Sequence, residues 1–142
     1  MNKNLELANI FQKMAIYLKM DDVPFKPEAY QKAALGLQTI SENVEDIYKK
    51  QGKEGLLSIP GVGESLADKI IEYLKTGKIK EFEQQKKKIP VNLDELMLVE
   101  GIGPKTIKAL YEHLKIKNLE DLEKAAHEGK IRNLENFGEK SE

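Results

Sequence analysis

A short pattern that recurs forty residues along the chain restricts its possible folds more than any other feature. Ile59-Pro60-Gly61-Val62-Gly63-Glu64-Ser65-Leu66 opens a helical run through Leu74, and Val99-Glu100-Gly101-Ile102-Gly103-Pro104-Lys105-Thr106 opens another through Leu114. Each copy is a hydrophobe, one spacer residue, then Gly-hydrophobe-Gly at the start of a helix. Glycine tolerates the tight backbone that joins two helices, and the central hydrophobe (Val62, Ile102) can tuck inward and pin the turn. A degraded third copy, Leu134-Glu135-Asn136-Phe137-Gly138-Glu139-Lys140, has Asn136 in place of the first glycine. Asn is the next most tolerant residue at positive φ. The chain ends inside this copy, so a longer protein is expected to continue from it.

The remaining sequence reads as helix. Leu5, Ala8, Ile10, Phe11, Met14, Ala15 and Leu18 recur at helical spacing and predict a helix from about Asn4 to Met20. Asp21-Asp22-Val23-Pro24 breaks it, and a second helix is predicted from about Pro27 to Ile40, with Tyr30, Ala33, Ala34 and Leu37 on one face. Ser41-Glu42-Asn43 offers caps for a third helix through Tyr48, and Gly52 and Gly55 bracket a further short turn. No stretch shows sustained strand alternation. The expected fold is all-α: two small helical subdomains, 1–88 and 89–142, each built around one hairpin, with the truncated third motif at the end. The boundary is placed at Lys86-Lys87-Lys88-Ile89-Pro90, where a charge run meets a helix-breaking Ile-Pro. Ile59, Val62, Leu66, Ile70, Leu74, Leu98, Val99, Ile102, Ile107 and Leu110 are expected to form the hairpin cores, with Tyr73 and Phe82 packing, and His113 and His127 exposed.

Charge and composition exclude several function classes. The net charge is −1, with +2 on residues 1–90 and −3 on residues 91–142, so bulk basicity cannot drive binding to a polyanion. Cysteine is absent and only two histidines are present, which removes thiolate and His-rich metal sites. Aromatic residues are 6% of the chain, too few for a single-strand stacking surface. Neither a signal peptide nor a membrane-length apolar run is present, and the reading is of a cytoplasmic protein that works as a monomer away from membranes.

The chemistry therefore has to come from the backbone. The helix after each hairpin starts with several N–H groups that lack an intrahelical partner, backed by the positive end of the helix dipole. A phosphate oxygen is a natural partner for them, and glycine lets a sugar-phosphate strand approach closely. Contact of this kind carries no base information. The candidate contact residues are Gly61, Val62, Gly63 and Ser65 in the first copy and Gly101, Ile102, Gly103, Lys105 and Thr106 in the second. A plain αα-hairpin turn, or a hairpin array that contacts proteins, stands as the alternative.

Beyond the hairpins, Tyr30-Gln31-Lys32-Ala33-Ala34, Ala67-Asp68-Lys69-Ile70, Thr76-Gly77-Lys78, Asn118-Leu119-Glu120-Asp121-Leu122 and Asn136-Phe137-Gly138 complete a pattern. In that order they resemble the amino-terminal lyase and DNA-binding parts of the family X DNA polymerases, over nearly the whole chain. The resemblance implies binding of gapped or nicked duplex DNA bearing a 5′-phosphate, in gap filling during base-excision repair. It implies a monovalent cation, K⁺ or Na⁺, held by the backbone carbonyls of Leu57, Ile59 and Val62 in the first hairpin and of Met97, Val99 and Ile102 in the second. It makes Lys69 the Schiff-base lysine of a 5′-deoxyribose-phosphate lyase, and Lys26 and Tyr30 part of the 5′-phosphate pocket. A nucleophilic lysine must be neutral, which calls for desolvation or neighbouring cations. Phe25, Leu57 and Ser65 stand where the resembled pocket has a His and two Lys, and Glu81 stands at a further basic position. Lys53 is a possible substitute cation. Nucleotidyl transfer needs paired carboxylates holding Mg²⁺, and the chain has neither Asp-x-Asp nor Gly-Gly-x-Arg-Arg. In the resembled family that Mg²⁺ centre belongs to the carboxyl-terminal part, so this chain alone is not expected to extend a primer.

Overall fold

A computed structural model describes residues 2–129. The degraded third copy at 134–140 lies outside them. Among the described residues the chain is all-helical, and it divides into two compact units, 1–84 and 85–142. The division falls within the helix that carries the Lys86-Lys87-Lys88 run.

In the first unit, α1 (Lys3–Met20) packs mainly on α2 (Lys26–Thr39), and α3 (Val44–Leu57) packs on α4 (Glu64–Thr76). The buried face of α1 is Asn4, Leu7, Ala8, Phe11, Met14, Ala15, Tyr17 and Met20. Leu5, expected on that face, is 46% exposed, because the true stripe starts one residue earlier and passes through Leu7. Asn4 is the buried polar residue of that face: its amide donates to the Glu42 carbonyl at 2.9 Å and its Oδ1 accepts from the Val44 N–H at 2.7 Å. The first turn of α1 is thereby tied to the start of α3. The third helix runs well past Tyr48, to Leu57, but Gly52 at φ 65 and ψ −153 breaks its helical backbone. Gly52 is the junction of two helical segments, and Gly55 lies inside the second of them.

α4 ends at Gly77, whose φ of 80 makes a left-handed C-cap. The Glu72 carboxylate accepts from the Lys80 N–H at 2.7 Å and turns the chain into α5 (Lys80–Lys88). Leu7, Phe11, Met14, Leu37, Leu56, Ile70 and Ile79 are essentially sealed from solvent and form the core of this unit. Tyr73 and Phe82 are buried with them.

The second unit contains α6 (Leu93–Leu96), α7 (Pro104–Leu114) and α8 (Leu119–His127). Leu96, Ile107, Leu110 and Ile116 form its core. The Asn92 N–H donates to the Lys117 carbonyl at 2.7 Å and the Glu95 carboxylate accepts from the Leu119 N–H at 3.0 Å, which fastens α6 to the link between α7 and α8. His113 and His127 are exposed, as is each lysine of the Lys86-Lys87-Lys88 run.

Candidate nucleic-acid interface

The two hairpins share their backbone geometry. Val62 N–H donates to the Ile59 carbonyl at 3.0 Å, and Ile102 N–H donates to the Val99 carbonyl at 3.2 Å. The first glycine of each copy lies in the left-handed region, Gly61 at φ 85 and Gly101 at φ 84. An L side chain is strained there, which accounts for glycine at both positions. Val62 and Ile102 are buried, as pins should be.

The second glycine of each copy has a different reason. Gly63 (φ −98, ψ −174) and Gly103 (φ −120, ψ −174) are the N-caps of α4 and α7, in extended backbone open to any residue. A Cβ built on either would meet nothing within 4 Å. The fold thus makes no demand for glycine at 63 or 103. Gly61 is the opposite case, since a Cβ there would lie 2.5 Å from the Lys32 carbonyl of α2. Gly36 of α2 would likewise collide with the Pro60 carbonyl if it carried a side chain. The first hairpin turn is therefore pressed against α2 on one side and open on the other.

The helix caps sharpen the contrast. α1, α3, α6 and α8 are each capped by an asparagine side chain, from Asn2, Asn43, Asn92 and Asn118. α2, α4 and α7 have no side-chain cap, and of these α4 and α7 have glycine at the N-cap where α2 has Phe25. The first intrahelical bond of α4 is Ala67 N–H to the Gly63 carbonyl at 2.8 Å, so the N–H groups of Glu64, Ser65 and Leu66 begin the helix without an acceptor in it. In α7 the first such bond is Ile107 N–H to the Gly103 carbonyl at 3.0 Å, and Pro104 has no N–H to offer. Ser65 and Lys105 are exposed and Thr106 is half-buried around these termini.

Charge around the first terminus is mixed. Lys53 pairs with Glu64 at 2.6 Å and with Asp68 at 2.8 Å. Its hydrogen bonds to Asp68 and then Glu64 raise its pKa and keep it a cation. Lys53 therefore balances the acids of α4. Lys69 lies on α4 with its side chain 20% exposed, and its Nζ is 3.5 Å from Glu81 Oε2. Tyr30 is 4% exposed, stacks edge-on against Phe11 at 5.6 Å and donates its O–H to the same Glu81 oxygen at 2.9 Å. Lys26, one turn earlier on α2, is exposed. Tyr30 and Lys69 are thus brought together, with a carboxylate as their shared partner where neighbouring cations were expected. Sequence alone marks Glu81 as a departure from the resembled pocket and does not place it between the two.

The carbonyls implied as cation ligands fall into two groups. Those of Ile59 and Val99 each accept one N–H, and a carbonyl oxygen has a second lone pair. Among the described residues no hydrogen bond ends on the Leu57, Val62, Met97 or Ile102 carbonyl. Hard oxygen donors of this kind suit an alkali cation. Among the described residues no group of three or more His, Cys, Asp or Glu side chains is arranged to hold a metal, and no helix is long and apolar enough to cross a membrane.

Three expected core residues are not buried. Leu98 is 85% exposed and Val99 is half-buried, because the chain leaves four-residue α6 and turns outward before Ile102 returns to the core. Leu74, near the end of α4, is also half-buried.

Comparison with known proteins matches this geometry. The model of the helix-hairpin-helix domain family matches residues 2–79, and that of the SAM-like helix-hairpin-helix tandem matches residues 93–142. The chain belongs to the helix-hairpin-helix class. Within that class it corresponds to the amino-terminal part of the family X DNA polymerases. It is 30% identical over 138 residues to the DNA polymerase/3′-5′ exonuclease PolX of Bacillus subtilis, covering 96% of this chain. It is 26% identical over 121 residues to DNA polymerase lambda of Rattus norvegicus, covering 85%. The chain spans 23% and 20% of the lengths of these two relatives.

Proposed function

We propose that this chain, acting as a monomer, binds gapped or nicked duplex DNA by its sugar-phosphate backbone, and so positions a repair polymerase of family X. One observation carries the reading: among the described residues α4 and α7 pair a glycine N-cap with open space beyond it, while four other helices are closed by asparagine. Backbone N–H groups at a helix start bind phosphate oxygens of any sequence. A monovalent cation held by the carbonyls of Leu57, Ile59 and Val62, or of Met97, Val99 and Ile102, would add a positive charge on the same face. The experiment is fluorescence anisotropy on gapped duplexes of unrelated sequence across a salt series. Affinity is expected to agree within about three-fold between sequences and to fall log-linearly with salt. Strong sequence preference, or binding indifferent to salt, would overturn the reading.

A second reading concerns Lys69. Its sheltered place on α4 is where the Schiff-base lysine of a 5′-deoxyribose-phosphate lyase would stand. The Glu81 carboxylate beside it is the wrong neighbour for an amine that must be neutral to attack C1′. DNA positioning therefore stands ahead of lyase chemistry. Borohydride trapping on a duplex bearing a 5′-deoxyribose phosphate decides between them, since an adduct lost in Lys69→Ala would make Lys69 a nucleophile.

A further inference from the structure

Directly after the Gly52 corner, Lys53 opens the second segment of α3 and reaches across to α4. Its Nζ lies 2.6 Å from Glu64 Oε2 and 2.8 Å from Asp68 Oδ1. Glu64 and Asp68 stand one turn apart on the same face of α4, where two like charges repel. One ammonium thus holds two carboxylates. The Lys53 side chain is 35% exposed, against 75% and 64% for the acids, so the cation is the sheltered member of the group. Pairs this exposed add little to stability. Their consequence lies in where they leave the Glu64 carboxylate. Glu64 is the first residue of α4, which starts at a glycine N-cap with no side-chain cap. A carboxylate in a first turn is drawn to the free N–H groups and the positive end of the dipole. Here that carboxylate goes to Lys53, and the N–H groups of Ser65 and Leu66 begin the helix without an acceptor in it. Forty residues along, Leu93, Pro104 and Lys108 stand where the first copy has Lys53, Glu64 and Asp68. The second copy has no acid in the first turn of α7, and Leu93, in the lysine's place, is buried. The bridging lysine occurs in the copy whose helix opens with a glutamate.

We propose that Lys53 is a positioning residue of the first hairpin: it holds the Glu64 carboxylate to the α3 side, off the N–H groups at the start of α4, and so keeps that terminus open to a backbone phosphate. Lys53 does not itself touch the strand. Without it, Glu64 turns onto the N–H groups of its own helix and closes the terminus from within. This inference rests on the DNA-binding reading above for its ligand, although the placing of Glu64 can be read in the free protein.

The test is a double-mutant cycle on the full chain, read by anisotropy on one gapped duplex at low salt. Lys53→Met is expected to weaken binding by about five-fold or more. In a Glu64→Ala background the same change should cost less than about two-fold, because the carboxylate it releases is gone. Lys53→Arg keeps both bridges and should bind as the parent does. A lysine that contacts phosphate directly, or acts only through its charge, would cost the same in either background, and that result overturns the inference, as does a Lys53→Met variant that binds like the parent. Circular dichroism and melting of Lys53→Met should match the parent closely, since only exposed ion pairs are lost. Should no duplex bind at all, the DNA-binding reading fails by itself. Hydrogen exchange at the Ser65 and Leu66 amides of the free protein then decides where Glu64 sits. Exchange slowed by about three-fold or more in Lys53→Met, and restored in Lys53→Met with Glu64→Ala, supports the inference; equal rates in parent and Lys53→Met refute it.

Discussion

Aspartate at the second hairpin glycine should make the protein more stable and bind DNA worse. Gly63 and Gly103 sit in extended backbone with nothing within 4 Å of a prospective Cβ, so Gly63→Asp and Gly103→Asp introduce no clash. Aspartate is a strong N-cap, preferred over glycine by a few tenths of a kcal/mol, and its charge favours a helix start by about 0.3–1 kcal/mol. Replacing glycine also restricts the unfolded chain, worth about 0.4–1 kcal/mol. The gain should be larger at Gly103, since α7 has no acidic residue in its first turn whereas α4 begins with Glu64. The same carboxylate would cover the N–H groups proposed to hold a phosphate. A hydrogen bond to a charged group is worth about 1.5–3 kcal/mol, so each substitution should weaken DNA binding by about 10- to 100-fold. Scanning calorimetry and anisotropy on one gapped duplex measure the two quantities. Opposite signs cannot arise from unfolding. If both variants melt higher yet bind within about two-fold of the parent, the hairpin termini are not the contact surface and the reasoning fails.

Three further outcomes follow from the same geometry. Gly61→Ala should destabilise the first unit by about 3 kcal/mol or more, combining left-handed strain with a Cβ 2.5 Å from the Lys32 carbonyl, while Gly101→Ala should cost the second unit only about 1 kcal/mol; chemical denaturation of each variant compares them. Asn4→Ala strands a buried N–H and a part-buried carbonyl, costs about 1–3 kcal/mol, and should speed hydrogen exchange at the Val44 amide. Burial pushes the Tyr17 phenol up from 10.0 to about 12 and raises Tyr30 too, so the unfolded chain loses those protons first; stability should be unaffected below pH 10 and fall as pH rises through about 12, as ultraviolet titration of the phenols alongside circular dichroism would show.

The hairpins were legible in the sequence because their requirements are local. A left-handed φ selects glycine at 61 and 101 wherever the rest of the chain lies, and a pin between two turns selects a hydrophobe. The exposure of Leu98 was legible in principle: the first copy has Ser58 at the corresponding position, and both residues are exposed. Hydrophobicity alone argued for burial, and the repeat carried the better signal. What no local pattern could supply was long-range. The Asn4 clamp joins residues about forty apart, the fit of Gly61 against α2 depends on how two helices pack, and the Glu81 bridge to Tyr30 spans fifty-one residues. The extension of α3 past Gly52 was hidden because a glycine inside a helical pattern reads as an end, whereas here it is a corner between two segments.

The two hairpins are built alike and charged differently, and that difference gives each its own work. At the first, the Glu64 side chain is 75% exposed and its carboxylate pairs with Lys53 at 2.6 Å, so an ion pair stands beside the amide donors. At the second, no acid stands in the first turn of α7. On the proposed DNA-binding reading, the α7 terminus is therefore the less encumbered phosphate site of the two.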